Sequence, residues 1–199
     1  MKALQPAFRY AAVLLSALFL LSACKEGPAQ PQAAKAAAVP VSTAAIDAEA
    51  KGFVVGTPMS TRTVYVFFDP QCPHCAALWR AAKPLKSQAK FVWIPVGLMN
   101  KTSLAQGASL LASKDPVTAM DEHEVSMTAK QGGIGAVDGS DAFKATVEKN
   151  TELLNRFGFG SIPTIVAKHA QTGALVTKEG GMPTAELAAF LGLQPPAAN

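Results

Sequence analysis

Thr63-Val64-Tyr65-Val66-Phe67-Phe68-Asp69-Pro70-Gln71-Cys72-Pro73-His74-Cys75 is the stretch on which the reading of this chain turns. Its first six residues are β-branched or aromatic without a polar break, the pattern of a central strand buried on both faces. Asp69-Pro70-Gln71 ends the strand. Two cysteines then stand three apart where a helix is expected to open, since Ala76, Ala77, Leu78, Trp79, Ala81, Ala82 and Leu85 continue in helix-forming residues. Unpaired N–H groups and the helix dipole favour a thiolate at such a terminus. Cys72 is therefore placed as a nucleophile that attacks a disulfide, and Cys75, one turn on, as the thiol that resolves the mixed disulfide. The intervening Pro73-His74 adds an imidazole that could hydrogen-bond the Cys72 thiolate or sit beside it as a cation. Either would lower its pKa and favour the reduced form, giving a more oxidising couple.

Other uses of a Cys pair fit less well. A structural zinc site usually needs four Cys or His ligands, and only one pair is present, so no metal is assigned. A c-type haem requires His directly after the second Cys, where this chain has Ala76. A purely structural bridge closing so short a loop would constrain the unfolded chain little.

Working outward, residues 53–55 form a short strand and residues 91–96 the strand after the Cys helix. That helix is expected to run to about residue 89, kinked at Pro84. Strand, helix, strand in this order is a βαβ unit. Residues 101–157 look helical, with Asp115-Pro116 and Ser140-Asp141 as start signals and Gly158 and Gly160 as stops. Residues 164–167 and 174–177 make two short strands around the Thr172-Gly173 turn, and a last helix spans about 183–191. Trp79 and Trp93 read as core, and His169 as a strand end. Asp69 reads either as a turn residue or as a proton-steering group near the thiols. His123 lies in Asp121-Glu122-His123-Glu124, taken here as a solvated helix face rather than a metal site.

Cys-x-x-Cys opening a helix after a strand, followed much later by Ser161-Ile162-Pro163-Thr164 before another strand, resembles proteins of thioredoxin fold. The resemblance implies an α/β fold with a helical insertion between the central βαβ unit and the strand after Pro163. It further implies a cis Ile162–Pro163 bond lying against the thiols, with the Ile162 backbone available to pair with a substrate strand. The segment 64–75 with Trp79 is similar to the periplasmic Dsb isomerase group of DsbG and DsbC. Leu111-Ala112-Ser113-Lys114-Asp115-Pro116 is similar to the matching helical region of DsbG. The likeness extends over roughly residues 51–193. Three features depart from the group: a tether stands where its dimerisation domain would be, Pro73-His74 is the pair seen in the oxidase DsbA, and Ile162 replaces the usual Thr. The buried acid that thioredoxins carry six residues before the first Cys is also absent, Val66 standing there.

The N-terminal residues point to export. Lys2 and Arg9 precede an apolar run at residues 11–21, which is the size of a signal segment and short of the roughly 20 residues of a membrane span. Leu21-Ser22-Ala23-Cys24 resembles a lipobox, so residues 1–23 are expected to be a cleaved signal peptide and Cys24 to carry lipid. That would also account for the odd third cysteine. Ten of residues 25–50 are Ala, and Pro28, Pro31 and Pro40 interrupt them, so residues 24–50 are expected to be a tether. Its reach would be roughly 25–30 Å, and residues 42–50 could form a short capped helix. The domain proper is then expected at residues 51–199. Without Lys2 and Arg9, sixteen basic residues face fourteen acidic ones and form no basic run, which argues against nucleic acid.

The function expected is a monomeric, lipid-anchored thiol:disulfide oxidoreductase facing the periplasm. With Lys25 rather than Asp after Cys24, the outer membrane is favoured. Its redox group is the Cys72–Cys75 disulfide, with no added cofactor. Its partners would be thiols and disulfides of exported proteins and a membrane redox protein of DsbD or DsbB type. Two alternatives stand beside it: a DsbA-like oxidase, and a thiol-based metal-binding protein or copper chaperone using Cys72, Cys75 and His74.

Overall fold

The structure, a computed structural model, describes residues 38–196. The expected signal peptide, Cys24 and most of the expected tether lie outside the described residues. The central strand β2 (Thr63–Phe68) has β3 (Lys90–Pro95) parallel on one side and β4 (Thr164–Lys168) antiparallel on the other. Strands β1 (Phe53–Gly56) and β5 (Leu175–Glu179) take the edges, giving the order β1-β3-β2-β4-β5. Helix α2 (Pro73–Ala82) crosses from β2 to β3, which is the βαβ unit the sequence predicts. Three helices, α3 (Lys101–Ala112), α4 (Pro116–Thr128) and α5 (Asp141–Arg156), are inserted between β3 and β4, and α6 (Thr184–Leu191) closes the domain. Among the described residues, no helix is long and apolar enough to cross a membrane.

The side chains of β2 divide between two cores, as a strand period of two requires. Val64, Val66 and Phe68 face the core under α2, α4 and α6, whereas Tyr65 and Phe67 face the core under α1 (Thr43–Glu49) and α5. Beneath α2, Phe53, Phe68, Trp79 and Trp93 pack edge to face, with ring centroids 4.9–6.1 Å apart. Both tryptophans are core, as expected. Truncating either to Ala would cost about 3–5 kcal/mol. His169 follows directly on β4, also as expected.

Two boundaries differ from those expected. Helix α2 ends at Ala82 and gives way to a 3-10 turn (Lys83–Leu85), rather than continuing kinked to residue 89. Pro84 has no N–H for the carbonyl four residues back, so the α-helical ladder stops there. The domain also starts earlier than residue 51. Ser42 caps α1, Ile46 is 1% exposed, Tyr65 donates its hydroxyl hydrogen to Asp47 at 2.6 Å, and the Val39 N–H bonds the Arg156 carbonyl. The expected tether therefore ends before residue 50: Ile46, one large apolar side chain in an Ala-rich segment, is part of the core.

Candidate active site

Cys72 occupies the N-cap of α2, with Pro73 at the first helical position, where a missing N–H costs nothing. The thiol takes the part usually played by a Ser or Asp side chain: its Sγ accepts the Cys75 N–H at 3.4 Å. The two cysteines are free thiols and both are buried, Cys72 at 5% exposure and Cys75 at 1%. Their chemistry nevertheless diverges. Cys72 is pulled down from 9.0 to about 6, chiefly by the hydrogen bond from the Cys75 thiol, against the opposing effect of burial; the backbone N–H groups of Cys75 and His74 and the charge of His74 add to it. Cys75 is pushed up, first by burial and then by its bond to Cys72. One thiol of the pair is thus a ready thiolate near neutral pH, and the other keeps its proton.

Of the two parts expected of the His74 imidazole, a hydrogen bond to the thiolate and a cation beside it, the hydrogen bond is not made. His74 and Pro73 are exposed, and no hydrogen bond joins the imidazole to Cys72. Its side-chain charge is the smallest of the influences on Cys72, behind its own backbone N–H. The Ile162–Pro163 bond is cis, as the resemblance implied, and the Ile162 carbonyl lies 3.8 Å from the Cys72 sulfur. Helix start and β4 lead-in, 90 residues apart in the chain, therefore meet at one sulfur.

Asp69 resolves in favour of a structural part. It is fully buried; Oδ1 accepts the Gln71 N–H at 2.8 Å, and Oδ2 accepts those of Leu98 and Met99 at 2.7 and 2.9 Å. The carboxylate therefore ties the loop after β3 to the loop that carries Cys72. Gln71 continues the brace: its amide donates to Gln106 Oε1 at 2.5 Å and to the Gly132 carbonyl at 3.2 Å.

His123 contradicts the solvated-face reading outright. It is fully buried; Nε2 donates to the Pro70 carbonyl at 2.7 Å, and Nδ1 accepts the Ile134 N–H at 3.2 Å. Both ring nitrogens are used only by the neutral imidazole, and burial holds its pKa below the usual value. Gly133 permits the close approach: it has φ +90°, and a Cβ there would stand 2.4 Å from the His123 ring. Glu124 is buried beside it at 6% exposure. It lines a cavity of about 150 Å³ together with Pro70, Cys72, Pro73, Ala76 and Arg80. Sequence reasoning missed Glu124, Gln71 and Gln106. A usable signal existed for the first: Val117, Met120, Glu124 and Met127 recur at helical spacing, so the charged run lies on a helix whose apolar face includes position 124.

A profile of the thioredoxin-like domain matches residues 56–194. The chain belongs to the thioredoxin-like domain family. Within that family it is 33% identical over 143 residues to the thiol:disulfide interchange protein DsbG of Pseudomonas aeruginosa, covering 69% of this chain and 54% of that protein. To DsbG of Escherichia coli it is 32% identical over 104 residues, covering 51% and 42%. The chain thus spans about half the length of the curated relatives it matches. Among solved structures, the catalytic domain of Proteus mirabilis ScsC superimposes with a TM-score of 0.54 at 15% identity, over 71% of this chain and 87% of that one. Pseudomonas aeruginosa DsbA2 gives 0.57 at 18%, over 71% and 93%. These likenesses confirm the thioredoxin-like fold with its helical insertion.

Proposed function

We propose that this protein is a thiol:disulfide oxidoreductase that exchanges disulfides with exported proteins through Cys72 and Cys75. The observation that carries the proposal is the asymmetry of the pair: a stabilised thiolate at the α2 N-cap and a buried, protonated partner one turn away. The Cys72 thiolate attacks one sulfur of a substrate disulfide. A Cys72–substrate bond forms, and the substrate's other sulfur leaves as a thiolate. Cys75 then passes its proton to a substrate thiolate or to solvent and attacks the Cys72 sulfur; the Cys72–substrate bond breaks, and the substrate's second sulfur leaves as a thiolate. The Ile162 carbonyl beside Cys72 suits an extended substrate segment pairing with the backbone there. The relationship to two interchange proteins named DsbG supports the same chemistry.

The lowered pKa of Cys72 favours the reduced form of the protein, so the same steps also run in reverse, a substrate thiolate attacking the Cys72–Cys75 disulfide, and the couple leans towards oxidising its substrates. For the metal-binding alternative, no group of three His, Cys, Asp or Glu placed to hold an ion occurs among the described residues, and no hydrogen bond joins His74 to either thiol. Periplasmic location, cleavage after residue 23, a lipid on Cys24 and a membrane redox protein of DsbD or DsbB type complete the proposal. The apolar run and lipobox-like Leu21-Ser22-Ala23-Cys24 support the first three, and the relationship to DsbG supports the redox partner. The test of the chemistry is capture with Cys75→Ser in exported protein extracts. Reducible mixed disulfides on Cys72 are expected, and their absence would contradict exchange. Mass spectrometry of the mature N-terminus tests the anchor, and an unmodified Cys24 rejects it.

A further inference from the structure

The buried Glu124 has no part in the exchange steps above, yet it shares a cavity with the reacting sulfur. Its Oε2 has no hydrogen-bond partner, although the side chain is only 8% exposed. The nearest cation, Arg80, stands 3.6 Å away, beyond hydrogen-bond reach, and its own side chain is 58% exposed. A buried carboxylate without a donor is costly when charged and far less so when protonated. Four charged groups act on it besides the effect of burial. Arg80 on α2 and Lys83 in the 3-10 turn favour the carboxylate; Asp121 on α4 and the Cys72 thiolate oppose it.

We propose that Glu124 is a redox-linked proton site, taking up a proton when the Cys72–Cys75 disulfide is reduced and releasing it when the disulfide forms. The inference rests on the exchange reading of the Cys pair and extends it. In the disulfide form Cys72 carries no charge, so one of the two repulsions on Glu124 is absent and the carboxylate is favoured. Reduction places a thiolate across the cavity, and Glu124 then holds a proton more readily. Burial, with these charges, raises it to about 7, close enough to the Cys72 value of about 6 for both to change state near neutrality. With glutathione as reductant the balance is complete. Two glutathione thiols become one glutathione disulfide and deliver two electrons and two protons. Cys72 leaves as thiolate, Cys75 takes one proton, and the other divides between Glu124 and solvent. Glu124 is thus a positioning residue: it acts through the charge on Cys72 and not on the substrate.

The experiment is a glutathione equilibrium of the wild-type protein and Glu124→Gln between pH 5 and 8, with the Cys72 thiolate titrated by its ultraviolet absorbance. At pH 5 Glu124 is neutral in both redox forms, so the two proteins are expected to agree. By pH 8 the variant, freed of the opposing carboxylate, is expected to be more oxidising by about tenfold in equilibrium constant, and its thiolate, which ionises while Glu124 is still partly protonated, to half-ionise about half a pH unit lower. A ratio of the two equilibrium constants that does not change with pH overturns the proposal; a purely structural Glu124 would move the melting temperature and leave that ratio flat. Should Glu124→Gln not fold, Arg80→Gln at the exposed end of the pair gives the same information. Loss of that cation is expected to shift the break in the wild-type pH curve upward, and an unmoved break overturns the proposal. A wild-type protein that never equilibrates with glutathione overturns the exchange reading as well, whereas equilibration with a flat ratio overturns this inference alone.

Discussion

The β2–α2 segment and helix α4 both contribute to the same site, and they were legible to opposite degrees. In β2–α2 every local rule agrees. A β-branched and aromatic run makes a strand buried on both faces; Asp-Pro breaks it; a thiol and then a proline start the helix; Pro84 stops it. In α4 local and tertiary preferences conflict. Asp121-Glu122-His123-Glu124 has the composition of a wetted surface, but His123 and Glu124 are buried against the loop of Pro70 and Cys72. A segment that carries its own helix and strand signals can be read alone. A buried polar residue can be read only when its partner, distant in the chain, is known.

The largest expected effect lies in the first region. Cys72→Ser should abolish exchange with a model disulfide substrate, because a hydroxyl at this position does not ionise near neutral pH. Residual turnover above background would move the nucleophile elsewhere. At the junction of the two regions, Asp69→Asn should destabilise the domain by about 3 kcal/mol in urea unfolding. The amide keeps one acceptor oxygen where three N–H donors converge, and its NH₂ meets at least one of them. A change under about 0.5 kcal/mol would show that the loop after β3 does not depend on this brace.

Helix α4 is probed by acid. His123 is neutral in the fold with its pKa depressed, so below its unfolded value of about 6.5 the unfolded chain binds a proton that the native state refuses. Stability should therefore fall as pH drops through the window below 6.5, by as much as about 1.4 kcal/mol per pH unit from this residue alone. His123→Gln should be less stable at pH 7 but lose less between pH 7 and 5. Parallel pH profiles for the two proteins would place His123 outside the acid response. The smallest effect is expected back in α2. His74→Tyr should shift the reduction potential by less than about 30 mV, because the imidazole makes no bond to Cys72. A larger shift in glutathione titration would restore the imidazole–thiolate contact that the motif alone suggests.

The same division describes what the chain discloses without coordinates. The five strands, the βαβ unit, the inserted helices and the Cys pair follow from patterns that act over a few residues. The meeting of Ile162 with Cys72 was visible only through likeness to a family, since 90 residues separate them. The brace of Asp69, Gln71 and Gln106 and the burial of Ile46 and Glu124 have no local signature strong enough to outweigh their composition. Polar side chains that hold a site together look, in one dimension, like polar side chains on a surface.

The central claim is that one local arrangement makes two unlike thiols out of Cys72 and Cys75, and the ultraviolet titration of the reduced protein addresses it directly. The account predicts a single thiolate appearing with a midpoint near pH 6, lost in Cys72→Ser, and no second thiolate from Cys75 at the ordinary thiol value, since burial and its bond to Cys72 push it up. Two thiols ionising together near the ordinary value of 9 would contradict it.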